Sequence, residues 1–186
     1  RGLTATVYVT TGYVGATSRW LQPVGEAERP MLDWDQIAEL SDAGIEIGAH
    51  SVTHPQLDAV SLARATDEID RSRDMIVSVL GPICSFAYPH GYHTAAVRRR
   101  VQRAGFQSAF AVGNGIASAA DDDYAITRVV VDGDATIDDF ARLVAGQVGR
   151  AAHRPVRRAA WRAVRRAGGE PLAERLRSAG AAKAIG

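Results

Sequence analysis

Alternation constrains this chain most: short β-branched or apolar runs closed by polar turns take turns with longer amphipathic stretches. Thr4–Thr10 is rich in β-branched and aromatic residues, predicts a strand, and ends at Thr11-Gly12. Asp33 with Gln36 three residues on forms a capping box, so a short helix follows, with Ile37 and Leu40 inward and Gly44 as its stop. Ile45–Ala49 is the next strand and runs directly into His50-Ser51-Val52-Thr53-His54-Pro55. A longer helix from about Ser61 to Gly81-Pro82 turns Leu62, Ala65, Ile69, Ile76 and Leu80 toward a core, and gives Asp67, Glu68, Asp70, Arg71 and Arg73 to water.

The pattern then repeats. Ile83–Ala87 predicts a strand broken at Tyr88-Pro89-His90-Gly91, because proline cannot continue a central ladder. Thr94–Ala104 predicts a helix, Ser108–Val112 and Ile126–Val131 predict strands, and Thr136 with Asp139 caps a helix carrying Phe140 and Leu143. Strands and helices alternating at this spacing build a parallel sheet covered by helices, so the fold class is α/β. Both histidine-bearing segments follow strands at their C-terminal ends, where α/β proteins place their chemistry.

With 186 residues, 46% of them hydrophobic, the chain can bury one core. Charge divides it: residues 1–149 hold 12 Lys+Arg against 19 Asp+Glu, whereas residues 150–186 hold 10 against 2. We therefore expect a domain over 1–146 and a basic helical extension over 147–186. That extension, with Trp161 among its arginines, suits an anionic membrane or acidic polymer, or else docks on the acidic body. Nucleic acid is not an expected partner, because the basic charge is confined to one end and no aromatic-basic sheet accompanies it. The lone Cys84 lies in an apolar run and is expected to be a buried thiol. No run approaches the ~20 apolar residues of a membrane span. Arg1-Gly2-Leu3 looks like mid-protein sequence, so location is open: cell surface or extracytoplasmic with an upstream signal, cytoplasmic without one.

His50 and His54 are four residues apart, a separation at which two imidazoles converge on one metal if the stretch turns helically; zinc leads among the candidates. Five histidines yield such a pair by chance on the order of one time in ten, so spacing alone leaves a second reading open. In that reading His50 caps the strand end and His54 shapes a His-Pro turn. Two rings crowded at a strand's C-terminal end, with Ser51 and Thr53 beside them to hold ligands or backbone, favour the metal.

Gly48-Ala49-His50-Ser51-Val52-Thr53-His54-Pro55 resembles the His-Ser/Thr-x-x-His metal motif of the polysaccharide deacetylases, the family 4 carbohydrate esterases. Phe86-Ala87-Tyr88-Pro89-His90-Gly91 resembles the Phe-x-Tyr-Pro-x-Gly motif of one branch, and Gly105–Phe110 and Ile126–Val129 fall in the family's order. The likeness covers residues 1 to about 145 and implies a distorted (β/α) barrel. It implies that His50 and His54 bind a divalent metal, with an Asp as third protein ligand and a second Asp as general base. It also implies that the backbone N–H of His90 helps hold an oxyanion. The implied activity is hydrolysis of N-acetyl, or else O-acetyl, groups on a polysaccharide, with an acetylated glycan as substrate.

Three departures qualify the likeness. The family's Asp-Asp-Gly motif has no counterpart before Thr4, so the barrel is expected to be N-terminally incomplete and the chain itself to lack the catalytic acids. Ala87 stands where many relatives carry Arg, and no late Leu-x-His motif supplies a general acid, which leaves His90 or His93 for that role. Asp33, Asp35 and Asp58 look like capping, surface or loop residues rather than replacement ligands. Tyr88 and Pro89 are expected at the pocket wall, Trp20 is placed either to stack on a sugar or to pack on the surface, and Arg128 to pair with a carboxylate or cover the sheet. The alternative to a hydrolase is a noncatalytic glycan-binding or scaffold relative of the same fold.

Overall fold

Five short strands form one parallel sheet in strictly sequential order: β1 (Thr6–Val9), β2 (Glu46–Ala49), β3 (Ser85–Ala87), β4 (Ser108–Val112) and β5 (Ile126–Arg128). The computed structural model describes residues 2–113, 116–131 and 135–147, within a unit spanning Arg1–Val148. The basic extension expected over 147–186 lies, apart from Gln147, outside the described residues. Helices α1 (Trp34–Asp42), α2 (Leu62–Leu80) and α3 (Ala95–Arg103) fill the connections, and α4 (Ile137–Val144) follows β5. Sequential order without a switch point is how a barrel grows, whereas a doubly wound sheet reverses direction.

Local chemistry starts the helices where the sequence predicts. Asp33 and Gln36 exchange both capping-box bonds, the Ser61 hydroxyl accepts from Arg64 N–H, and Thr94 accepts from Val97 N–H. The register Ala49↔Phe86↔Ala109 puts these three on one face, where Phe86 meets Ile69, Ile76, Val97, Val101 and Phe106 of the core. Alternation puts Tyr8, Gly48, Ser85, Phe110 and Arg128 on the opposite face. There the rings of Tyr8 and Phe110 lie 5.8 Å apart although two strands separate β1 from β4. A flat sheet would set those strands about 14 Å apart, so this face is concave, as in a barrel wall. Gly48 makes room for the curl: a Cβ there would sit 2.4 Å from the Tyr8 ring.

Five local expectations are corrected. The strand expected at Ile83 pairs only from Ser85, and Cys84 is exposed, not buried; alternation turns it away from the core that its neighbour Ile83 enters. β5 ends at Arg128 because β4, its ladder partner, ends at Val112, and Val130 and Val131 are left half-exposed. Leu62 is also half-exposed, at the rim of a groove between α2 and α3. Glu68, expected in water, is buried. No described helix is long and apolar enough to cross a membrane.

Candidate metal centre

His50 directly follows β2, and its backbone N–H still bonds to the carbonyl of Val9 at 3.0 Å, so the ring starts from a rigid base. The ring lies on the concave side, 6.5 Å from that of Tyr8. Its Nδ1 is 2.6 Å from the Ala87 carbonyl at the end of β3. A carbonyl only accepts, so Nδ1 carries the proton and Nε2 presents its lone pair. Orientation of a ligating imidazole by a backbone carbonyl is the usual support for a metal site.

Four residues later His54 brings its Nε2 to 3.1 Å from the Nε2 of His50. The helical turn expected between them does not form. Ser51 and His54 adopt left-handed backbone at φ 65° and 59°, and the Ser51 hydroxyl accepts from His54 N–H at 3.0 Å. The carbonyls of Ser51 and Val52 accept from Thr11 and Gly12 N–H, at 3.1 and 2.9 Å. Gly12 is needed for that approach, since a Cβ there would lie 2.7 Å from the Val52 oxygen. His90, at φ 59°, is the third left-handed non-glycine among the described residues, and all three surround the same point. Such conformations concentrate at functional sites, where surrounding contacts hold them.

Aromatic rings enclose His54. Trp20 stacks on it at 5.5 Å and 26°, backed by Tyr13 at 4.7 Å, and His90 meets its edge at 4.8 Å. The His90 ring hydrogen-bonds to the His54 backbone. Burial, with the charges of His50 and His90 next, lowers the His54 pKa to about 3. Burial lowers that of His50 to about 4 against the opposing pull of its Ala87 bond. Both rings are therefore neutral, the form that binds metal.

In chelator-treated protein this has a thermal consequence. The unfolded histidines titrate near 6.5 and the folded ones lower, so as pH falls through about 6.5 toward 4 the unfolded state takes up protons that the folded state refuses. Melting temperature is expected to be highest above pH ~6.5 and to decline across that window, with a shallower decline in His54→Gln. Thermal melts from about pH 7.5 to 4.5 measure it; equal slopes in both proteins would contradict the assignment.

The other predicted site residues divide. Tyr88 and Pro89 are fully buried; the Tyr88 hydroxyl donates to the Tyr124 carbonyl at 2.9 Å, and burial pushes its pKa up. His93 packs on Tyr88 at 4.6 Å, and burial lowers its pKa. One ring face of Trp20 lies on His54. Arg128 donates to the Tyr88 carbonyl at 3.2 Å, and its buried Nε has no partner. Asp33 is a helix cap, as expected.

Glu68 was missed, although the sequence carried a signal. It falls on the stripe Ala65, Glu68, Ile69, Ser72, all buried, where a carboxylate is out of place unless something inside receives it. It bonds Val52 N–H, Thr53 N–H and the Thr53 hydroxyl.

The pair suits a divalent metal. Tetrahedral zinc with bonds of about 2.0–2.1 Å sets two ligand nitrogens about 3.3–3.4 Å apart, close to the 3.1 Å here. Among the described residues no group of three or more His, Cys, Asp or Glu is placed to hold a metal, so this chain's visible contribution is two imidazoles.

The family model described as polysaccharide deacetylase matches residues 1–109, more than half of the chain. This chain belongs to the polysaccharide deacetylase family. Among solved structures, this family member is similar to the Streptococcus pyogenes deacetylase PplD in complex with acetate, at 25% identity and TM-score 0.61, over 75% of this chain and 57% of that one. It is similar in fold to a polysaccharide deacetylase from Bacillus cereus, at 20% identity and TM-score 0.62, over 76% and 42% of the two chains. The BpsB deacetylase domain from Bordetella bronchiseptica gives 21% identity and TM-score 0.59, over 69% and 61%. The deacetylase-family chain thus spans about half the length of the solved structures it matches, and its sequential sheet is an incomplete barrel of their type. No curated protein matches it.

Proposed function

We propose that this chain forms the histidine side of a metal-dependent deacetylase centre that removes acetyl groups, N-linked in the first instance and O-linked in the second, from a polysaccharide. The observation that carries the reading is the 3.1 Å approach of two neutral Nε2 atoms, one with its tautomer fixed by the Ala87 carbonyl. His50 and His54 hold the metal, with zinc as the expected ion. When bound, such a metal polarises an acetyl carbonyl and lowers the pKa of a coordinated water. His90 holds a left-handed backbone and its ring lies 4.8 Å from that of His54, and we assign its N–H to the developing oxyanion. Trp20 keeps the His54 ring in place and excludes water from one side of it. The acetate bound to PplD fits the same chemistry, acetate being what deacetylation releases.

The test is acetate release. Protein stripped of metal and reloaded with Zn²⁺, Co²⁺ or Mn²⁺ is incubated with N-acetylated chitooligosaccharides, peptidoglycan fragments and an O-acetylated glycan. Metal-dependent acetate from the N-acetylated substrates supports the proposal. Saturable glycan binding without acetate supports the second reading, a noncatalytic glycan-binding relative, which the presence of only two metal-binding side chains among the described residues favours. Absence of both acetate release and glycan binding overturns the proposal.

A further inference from the structure

The turn that carries His54 has an unusual support. Of its backbone groups, the Ser51 and Val52 carbonyls are taken by Thr11 and Gly12, and the His54 N–H by the Ser51 hydroxyl. Two further amides, Val52 N–H and Thr53 N–H, both donate to one oxygen of Glu68, at 2.9 and 2.8 Å. The other oxygen accepts from the Thr53 hydroxyl. Glu68 is 5% exposed and projects from the middle of the buried stripe of α2.

We propose that Glu68 is the positioning residue of the metal centre, clamping the turn between His50 and His54 from inside the fold and so setting where the two imidazoles meet. The proposal rests on the reading of that pair as a metal site. Its physical basis is the mismatch between what the turn prefers and what it does. Ser51 and His54 hold left-handed backbone that side-chain-bearing residues avoid, and a free chain would relax it. An ionised carboxylate is acceptor-only and fits three converging donors without leaving a proton unplaced. Leucine at position 68 would suit the helix and its core face, yet it would orphan the buried Val52 amide and the partly buried Thr53 amide, and the turn would open to reach water. A buried carboxylate is costly, and here each of its hydrogen bonds goes to the segment that carries the metal-binding ring. Support of this kind, one layer out from the ligands, commonly governs metal affinity.

The experiment uses the full chain, stripped with chelator and titrated with Zn²⁺ against a chromophoric competitor, with the visible spectrum of the Co²⁺ form as a report on ligand geometry. Glu68→Ala is expected to weaken Zn²⁺ binding about 10–100-fold and to change the Co²⁺ spectrum. Glu68→Gln is expected to stay within a few-fold of wild type, because its amide oxygen can accept both N–H groups while its NH₂ donates to the Thr53 hydroxyl. Asp67→Ala, its exposed neighbour, is expected to bind as wild type does. Wild-type affinity in Glu68→Ala overturns the proposal, and so does an equal loss in Asp67→Ala, which would mark general destabilisation. If Glu68→Ala does not fold, Thr53→Val decides: it removes one of the three bonds, and unchanged affinity overturns the clamp. Wild-type protein that binds no Zn²⁺ sinks the metal reading alone. The clamp is then judged by contacts between the His50 and His54 rings in NMR spectra of the metal-free protein. Loss of those contacts in Glu68→Ala with retention in Glu68→Gln supports it, and retention in both overturns it.

Discussion

Replacing His50 with alanine is expected to lower Zn²⁺ affinity by more than about 100-fold, since loss of a ligand should exceed the 10–100-fold typical of losing a ligand's supporting partner. His50 is the better anchored of the two imidazoles: it continues β2, bonds back to Val9, and is aimed by the Ala87 carbonyl. Without it His54 remains as a single imidazole on a turn. The change also leaves the Ala87 carbonyl without its partner, which costs about 1–3 kcal/mol if water does not reach it. Stability should therefore fall modestly while metal binding and any metal-dependent acetate release fall to background. Competition titration and a parallel thermal melt separate the two effects. Undiminished affinity in a folded His50→Ala protein would place the metal elsewhere.

Phe86→Ala is expected to cause the largest loss of stability, about 3–5 kcal/mol, or a fall in melting temperature of roughly 6–20 °C. Phe86 is fully buried on the central strand β3, with its ring 5.4 Å from Tyr88 and 5.3 Å from Phe106. Its cross-strand neighbours, Ala49 and Ala109, are too small to fill the vacated space, so the cavity should persist and the cost should lie toward the upper end. A denaturant titration with unchanged slope and reduced midpoint is the expected signature. A loss under about 1 kcal/mol would mean that the helical layer collapses onto the sheet. Tyr88 and Pro89, one and two residues past β3, are the nearest site elements to suffer.

The alternation from Thr4 to Val144 was enough to place five strands and four helices, and each described α-helix begins at the cap residue that the sequence names. Those signals are local: a cap bonds to an amide three residues away, and an apolar stripe repeats within a turn or two. The histidine pair was legible too, because two histidines four residues apart at a strand end form a short pattern. Tertiary structure decided what lies between and around them. The convergence of His50 and His54 comes through a left-handed turn and not a helical one, because Thr11, Gly12 and Glu68, far away in sequence, take up that turn's backbone groups. Trp20 stacks on His54, a contact between the loop after β1 and the end of β2 that no local pattern announces. Tyr88 and Pro89 are fully buried, and Tyr88 bonds to Tyr124 and Arg128, residues far from it in sequence. Sequence alone determined which segments are strands and helices and which residues could bind a metal, since periodicity and capping act over a few residues. Only tertiary structure decided which groups support those ligands, since that depends on contacts between segments whose separation along the chain leaves no periodic trace.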